Sequence, residues 1–115
     1  MNDKSQFLKG TLEGCILKII NDAGEVYGYE IAEKLKDYGL NNVSEGTIYP
    51  LLLRLEKSEL LNSIKKESPY GPKRKYYTLS SKGKEELKDF YENWLNLKAS
   101  IDKIFLDYGD DNNDE

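Results

Sequence analysis

The side chains best placed to do chemistry in this sequence are cations. Residues 65–75 hold Lys65, Lys66, Lys73, Arg74 and Lys75 against a single acid, Glu67. Lysine and arginine crowded in this way neutralise phosphate, which is the electrostatic footprint of a nucleic-acid surface. The chain as a whole is acidic, with a formal net charge of −4 at pH 7. Five of its acids, Asp107, Asp110, Asp111, Asp114 and Glu115, fall in the last nine residues. Ahead of them seventeen bases face sixteen acids, a net +1, so the local patch carries more information than the total.

Other chemistry is poorly supplied. The 115 residues contain no histidine and one cysteine, Cys15. His-based acid–base catalysis, Ser-His-Asp triads, structural zinc and internal disulfides are thereby excluded, and neither metal nor cofactor is expected. The glycines are scattered without phosphate-loop or dinucleotide spacing. Glu30/Glu33 and Glu85/Glu86 could form acid–base pairs, but both sit in charged stretches that read as solvated helix faces. The chain is not expected to be an enzyme. It has no apolar run of bilayer length and no signal-like segment after Met1, and with a lone cysteine a cytoplasmic location is expected.

The patch needs a scaffold, and 38% hydrophobic residues suffice for one core. Leu8, Leu12, Cys15, Ile16, Ile19 and Ile20 recur at helical spacing, predicting a helix over residues 8–20 that stops at Asn21-Asp22-Ala23-Gly24. Cys15 reads as a small core residue there. A second helix is predicted over residues 28–37, with Ile31, Ala32, Leu35 and Tyr38 inward and a break at Gly39 and Asn41-Asn42. A third begins at Ser44, whose hydroxyl can cap the first turn, with Glu45 favourable beside the helix dipole. Ile48, Leu51, Leu52 and Leu55 form its buried stripe, which fades near Ser58, and Pro50 should kink or loosen its opening.

Two strands, residues 62–66 and 75–79, then flank a turn-forming loop from Glu67 to Arg74 that contains Tyr70. Ser80 or Ser81 should cap a last helix of about 25 residues reaching Leu106. Along it Leu87, Phe90, Trp94, Leu97, Ile101, Ile104 and Tyr108 alternate steps of three and four, a heptad seam suited to a second copy of the same helix.

Three helices followed by a hairpin is the chain order of a winged helix-turn-helix. The expected fold is therefore mainly α with a small β-hairpin (α+β). Residues 1–79 form the DNA-binding domain, 80–108 a dimerisation helix and 109–115 a disordered acidic tail. In this architecture the start of the third helix reads bases and the hairpin rests on the backbone. Ser44, Thr47 and Tyr49 are the candidate base readers, with Pro50 fixing their presentation. Lys65, Lys66, Lys73, Arg74 and Lys75 are the candidate phosphate contacts. Leu87, Phe90, Trp94, Leu97, Ile101 and Ile104 are the candidate dimer interface. A winged-helix module that binds another protein instead of DNA is the alternative.

Four segments in order sharpen the reading. Gly46-Thr47-Ile48-Tyr49-Pro50-Leu51-Leu52, leading to Arg54-Leu55-Glu56, resembles the recognition helix of PadR-like transcriptional regulators. Tyr27-Gly28-Tyr29-Glu30-Ile31 resembles the start of that family's second helix, and Gly71-Pro72-Lys73-Arg74-Lys75-Tyr76-Tyr77-Thr78-Leu79 its wing. Ser81-Lys82-Gly83 resembles the opening of its final helix. The resemblance implies a homodimeric repressor on an inverted-repeat promoter site, in the short subfamily that dimerises through a single last helix. It adds Arg54 to the DNA-binding candidates. It also puts Trp94 where a tryptophan lines a flat apolar pore between subunits; two such indoles facing across a two-fold axis, with Leu12 and Ile16 nearby, would leave a slot for a small planar aromatic effector. Lys98, one turn beyond Trp94, departs from what a pore for cations would favour.

Overall fold

The computed structural model describes residues 10–41, 43–69 and 71–109. The predicted helix start at Leu8, the turn residue Asn42, Tyr70 of the loop and residues 110–115 of the acidic tail lie outside them. Helix α1 spans Leu12–Ala23. It runs three residues past the expected stop, because Asn21 and Asp22 only weakly disfavour helix and Lys18 pairs with Asp22 at 2.5 Å. Gly24 ends it with φ 81°, its N–H donating to the carbonyl of Ile20. Ile16, Leu17 and Ile20 are fully buried. Cys15 is half-buried against the core, and burial pushes its thiol pKa up, so it stays protonated as a packing group.

Strand β1 is only Val26–Tyr27, and helix α2 follows at once over Gly28–Asp37. The carboxylate of Glu30 accepts the N–H of Tyr27 at 3.1 Å, closing the first turn. Ile31 and Leu35 face inward as expected, whereas Tyr38 is 76% exposed. Gly39, at φ 98°, reverses the chain just after Tyr38. The N–H of Leu40 then reaches the carbonyl of Leu35 at 2.9 Å, so Leu40 packs on the core where Tyr38 was expected.

Helix α3 spans Glu45–Lys57 with Ile48, Leu52 and Leu55 buried. Ser44 holds the cap position, but its hydroxyl lies 3.4 Å from the Thr47 hydroxyl and makes no capping bond to the backbone. The helix continues through Pro50 without a break. Its end repeats the α2 device: Glu59 takes φ 65° and the N–H of Leu60 bonds the carbonyl of Leu55.

The hairpin is longer than its apolar alternation suggested. Strand β2 is Leu61–Ser68 and β3 is Gly71–Leu79, so most of the supposed loop is paired backbone. The sheet is antiparallel in the order β1-β3-β2, with Val26 opposite Tyr77 and Lys66 opposite Arg74. The pairing register shifts between Lys66 and Ser68, near the tip.

Helix α4 spans Ser81–Ile104. Ser80 caps it by accepting the N–H of Gly83 at 2.9 Å, and its hydroxyl lies 2.8 Å from the carbonyl of Glu59. This stitches the start of α4 to the end of α3. Leu87 packs on the core, and the Phe90 ring lies over Gly14 of α1, where a side chain would collide with it. Past Phe90 the seam leaves the domain: Trp94, Leu97, Ile101, Ile104 and Tyr108 are all exposed. Among the described residues no helix is long and apolar enough to cross a membrane.

Candidate nucleic-acid interface

The opening turns of α3 and the hairpin converge on one side of the molecule. Between them lies a hollow of about 610 Å³ lined by Tyr27, Tyr29, Glu45, Tyr49, Arg74 and Tyr77. Ser44, Thr47, Tyr49 and Pro50 are all exposed on the first turns of α3, which the sequence designates as the reading end. The Tyr49 hydroxyl donates to the Glu45 carboxylate at 2.8 Å, and burial together with this acid raises the phenol pKa.

The cations are distributed less simply than their run in sequence suggests. Lys65 is exposed and has no acidic partner among the described residues. The Arg74 guanidinium stacks 4.6 Å from the Tyr27 ring centroid, a cation–π contact that holds it beside the hollow. Lys66 pairs with Glu25 and lies 5.3 Å from the Tyr76 ring. Lys73 faces Glu67 at 3.8 Å, a loose exposed pair of small energetic weight. Arg54, in the last turn of α3, meets Glu13 of α1, its Nε donating at 2.7 Å.

Lys75 is the most committed of the five. Its ammonium donates to Glu56 at 2.6 Å, and the Ser63 hydroxyl donates to the other oxygen of the same carboxylate at 2.5 Å. One acid thus ties α3 to both strands of the hairpin. The Lys75 and Ser63 hydrogen bonds lower the Glu56 pKa, and the bond to Glu56 raises that of Lys75. Because the folded pKa of Glu56 is depressed, its contribution is complete above the ordinary glutamate value and is lost as pH falls through the folded value. Lys75 supplies the alkaline limb, lost as pH rises through its raised pKa. Glu56→Gln should therefore cost about 1 kcal/mol at neutral pH, discounted for partial exposure, and nothing in strong acid. Urea midpoints of both proteins across pH check this; a gap that stays constant would assign the loss to packing.

Sequence reasoning missed Glu13, Glu25 and Glu56, each far along the chain from the cation it meets. It also missed Tyr27 and Tyr29, whose rings stack at 6.2 Å. Only β1 places Tyr27 beside Arg74, and a two-residue strand has no legible periodicity.

At the dimer candidates, Leu87 and Phe90 are engaged within the chain, and Trp94 is 39% exposed. Lys98 pairs with Asp102 at 2.9 Å. Leu12 and Ile16 are buried in the chain's own core.

The fold and this surface define a winged helix-turn-helix protein, with a helix-turn-helix in α2–α3 and a basic wing in β2–β3. Residues 16–89 match the transcriptional regulator PadR-like family, and the chain belongs to it. It is accordingly a transcription regulator and not an enzyme. The structure is similar to that of a PadR-like transcriptional regulator from Bacillus cereus, 49% identical, with a TM-score of 0.77 over 87% of this chain and 96% of that one. It is also similar to Bacillus subtilis PadR in complex with operator DNA, 28% identical, with a TM-score of 0.66 over 71% of this chain and 47% of that one. An uncharacterised protein of Lysinibacillus sphaericus is 34% identical over 106 residues, 90% of this chain and 95% of its own length.

Proposed function

We propose that the protein is a cytoplasmic repressor that binds an inverted repeat in a promoter as a homodimer. The observation that carries this is the exposed start of α3 lying beside the wing across one hollow, with Arg74 and Lys75 on its rim. Ser44, Thr47 and Tyr49 face the bases, with Pro50 among them, while Lys65, Lys73 and Arg74 meet phosphates, joined by Lys66 where it exchanges Glu25 for one. Lys75 and Arg54, held by acids of their own chain, serve mainly to fix the wing and α3. Helix α4 joins two copies through Trp94, Leu97, Ile101 and Ile104, extending the surface begun by Leu87 and Phe90. Two half-sites supply affinity that one winged helix lacks, since non-specific phosphate binding reaches only about 10⁻⁴ to 10⁻⁶ M. A planar apolar effector would act at Trp94 and its exposed neighbours on α4.

Gel shifts with duplex DNA over a salt series test the reading. Lys65→Ala and Arg74→Ala should each reduce the salt slope by about 0.9 per lost phosphate contact. Lys75→Ala should change it less. Slopes indifferent to all three substitutions, with no retention on heparin, would favour the protein-binding module.

A further inference from the structure

Glu45 is the acid among the residues that line the hollow. It is the first residue of α3, exposed, and lines the hollow between the reading helix and the wing. A favourable dipole accounts for an acid at a helix start, though any orientation of it would do. This one is oriented. The Tyr49 hydroxyl, one turn on, donates its single proton to Glu45 at 2.8 Å. The ring of Tyr49 is itself seated on Gly28, where a Cβ would lie 2.5 Å from its Cε1. The two cations of the hollow are occupied elsewhere, Arg74 on the Tyr27 ring and Lys75 on Glu56. Among the described residues no cation pairs with Glu45.

An ionised carboxylate only accepts hydrogen bonds, and DNA phosphates repel it. It is compatible with a bound duplex when a base offers it a donor. In the major groove the donors are exocyclic amines, and the established partner of a carboxylate is the cytosine N4 amine. We infer that Glu45 is a specificity-determining residue that accepts a hydrogen bond from a cytosine in each half-site, and that Tyr49 positions its carboxylate. This rests on the DNA-reading function proposed above. It shifts Tyr49 from reader to positioning residue: its hydroxyl proton is already spent on Glu45.

Selection of bound sequences from a random duplex pool tests the assignment, with thermal unfolding confirming that each variant is folded. The wild type should enrich a half-site with one invariant cytosine. Glu45→Gln should move that single position to adenine, because a glutamine amide both donates and accepts as adenine requires. The preference for cytosine should fall about ten- to a hundredfold there and nowhere else. Tyr49→Phe should keep cytosine while weakening its preference severalfold, which a purely structural role would not do. A motif that Glu45→Gln leaves unchanged overturns the assignment alone. A wild-type pool with no enriched motif overturns the DNA-reading function, and this assignment with it.

Discussion

Replacing both Leu97 and Ile101 with aspartate should convert the proposed homodimer to a monomer and abolish operator-strength binding. Both residues sit on α4 beyond Phe90, 53% and 43% exposed, on a helix face that nothing among the described residues covers. With Trp94 and Ile104 they continue the heptad spacing that Leu87 and Phe90 begin inside the domain. In a dimer each aspartate would be a buried unpaired charge, costing about 3–5 kcal/mol. Two per chain, doubled by the two-fold axis, exceed what most small interfaces can absorb. The fold should survive, because neither residue touches the core. Losing the second half-site removes an avidity gain of roughly 10²–10⁴. Sedimentation at micromolar concentration and a gel shift on the same samples check both consequences. A variant that stays dimeric would place the interface elsewhere.

The largest effect on stability should come from the smallest substitution. Gly83 is buried in the first turn of α4, and a Cβ there would fall well inside contact distance of the Leu60 carbonyl oxygen and 2.7 Å from Leu79 Cδ1. The obstacle is backbone, fixed by the Ser80 N–H that donates to that same carbonyl at 3.0 Å, so it cannot swing aside. Gly83→Ala should cost about 3 kcal/mol, the upper range for overpacking, and should loosen the joint between α3 and α4. Gly46→Ala is the control with the opposite sign. It lies exposed in α3, and its added Cβ would meet only the Ser44 hydroxyl at 3.6 Å. Removing a flexible residue from a helix should stabilise by about 0.5–1 kcal/mol. Urea denaturation of the two variants should move the midpoint in opposite directions.

Helical periodicity made α1, α2, α3 and α4 legible because burying one face of a helix forces apolar residues into steps of three and four. The same rule misplaced Tyr38. Its spacing is right, but Gly39 turns the chain before that face can be continued, and Leu40 fills the place. Ser44 was found as the residue before α3, while its hydroxyl went to Thr47, since several acceptors compete for one short side chain. The hairpin was recognised but shortened: its outer half faces solvent and carries no apolar alternation, and it is maintained by backbone pairing together with the contacts of Lys66 and Arg74.

By itself the sequence determined the order of the four helices and the hairpin, the basic wing, the exposed start of α3 and the unbroken apolar seam of the last helix. Each is set by neighbours within a turn or two, where spacing and side-chain type are enough. The tertiary structure alone decided which cations are committed. Glu13, Glu25 and Glu56 reach Arg54, Lys66 and Lys75 across 41, 41 and 19 residues of chain. It also seated Tyr49 on Gly28 and divided the seam at Phe90 into an inner and an outer half. A charge pair or a ring contact forms wherever folding brings two groups within a few ångströms, and no local spacing encodes that meeting.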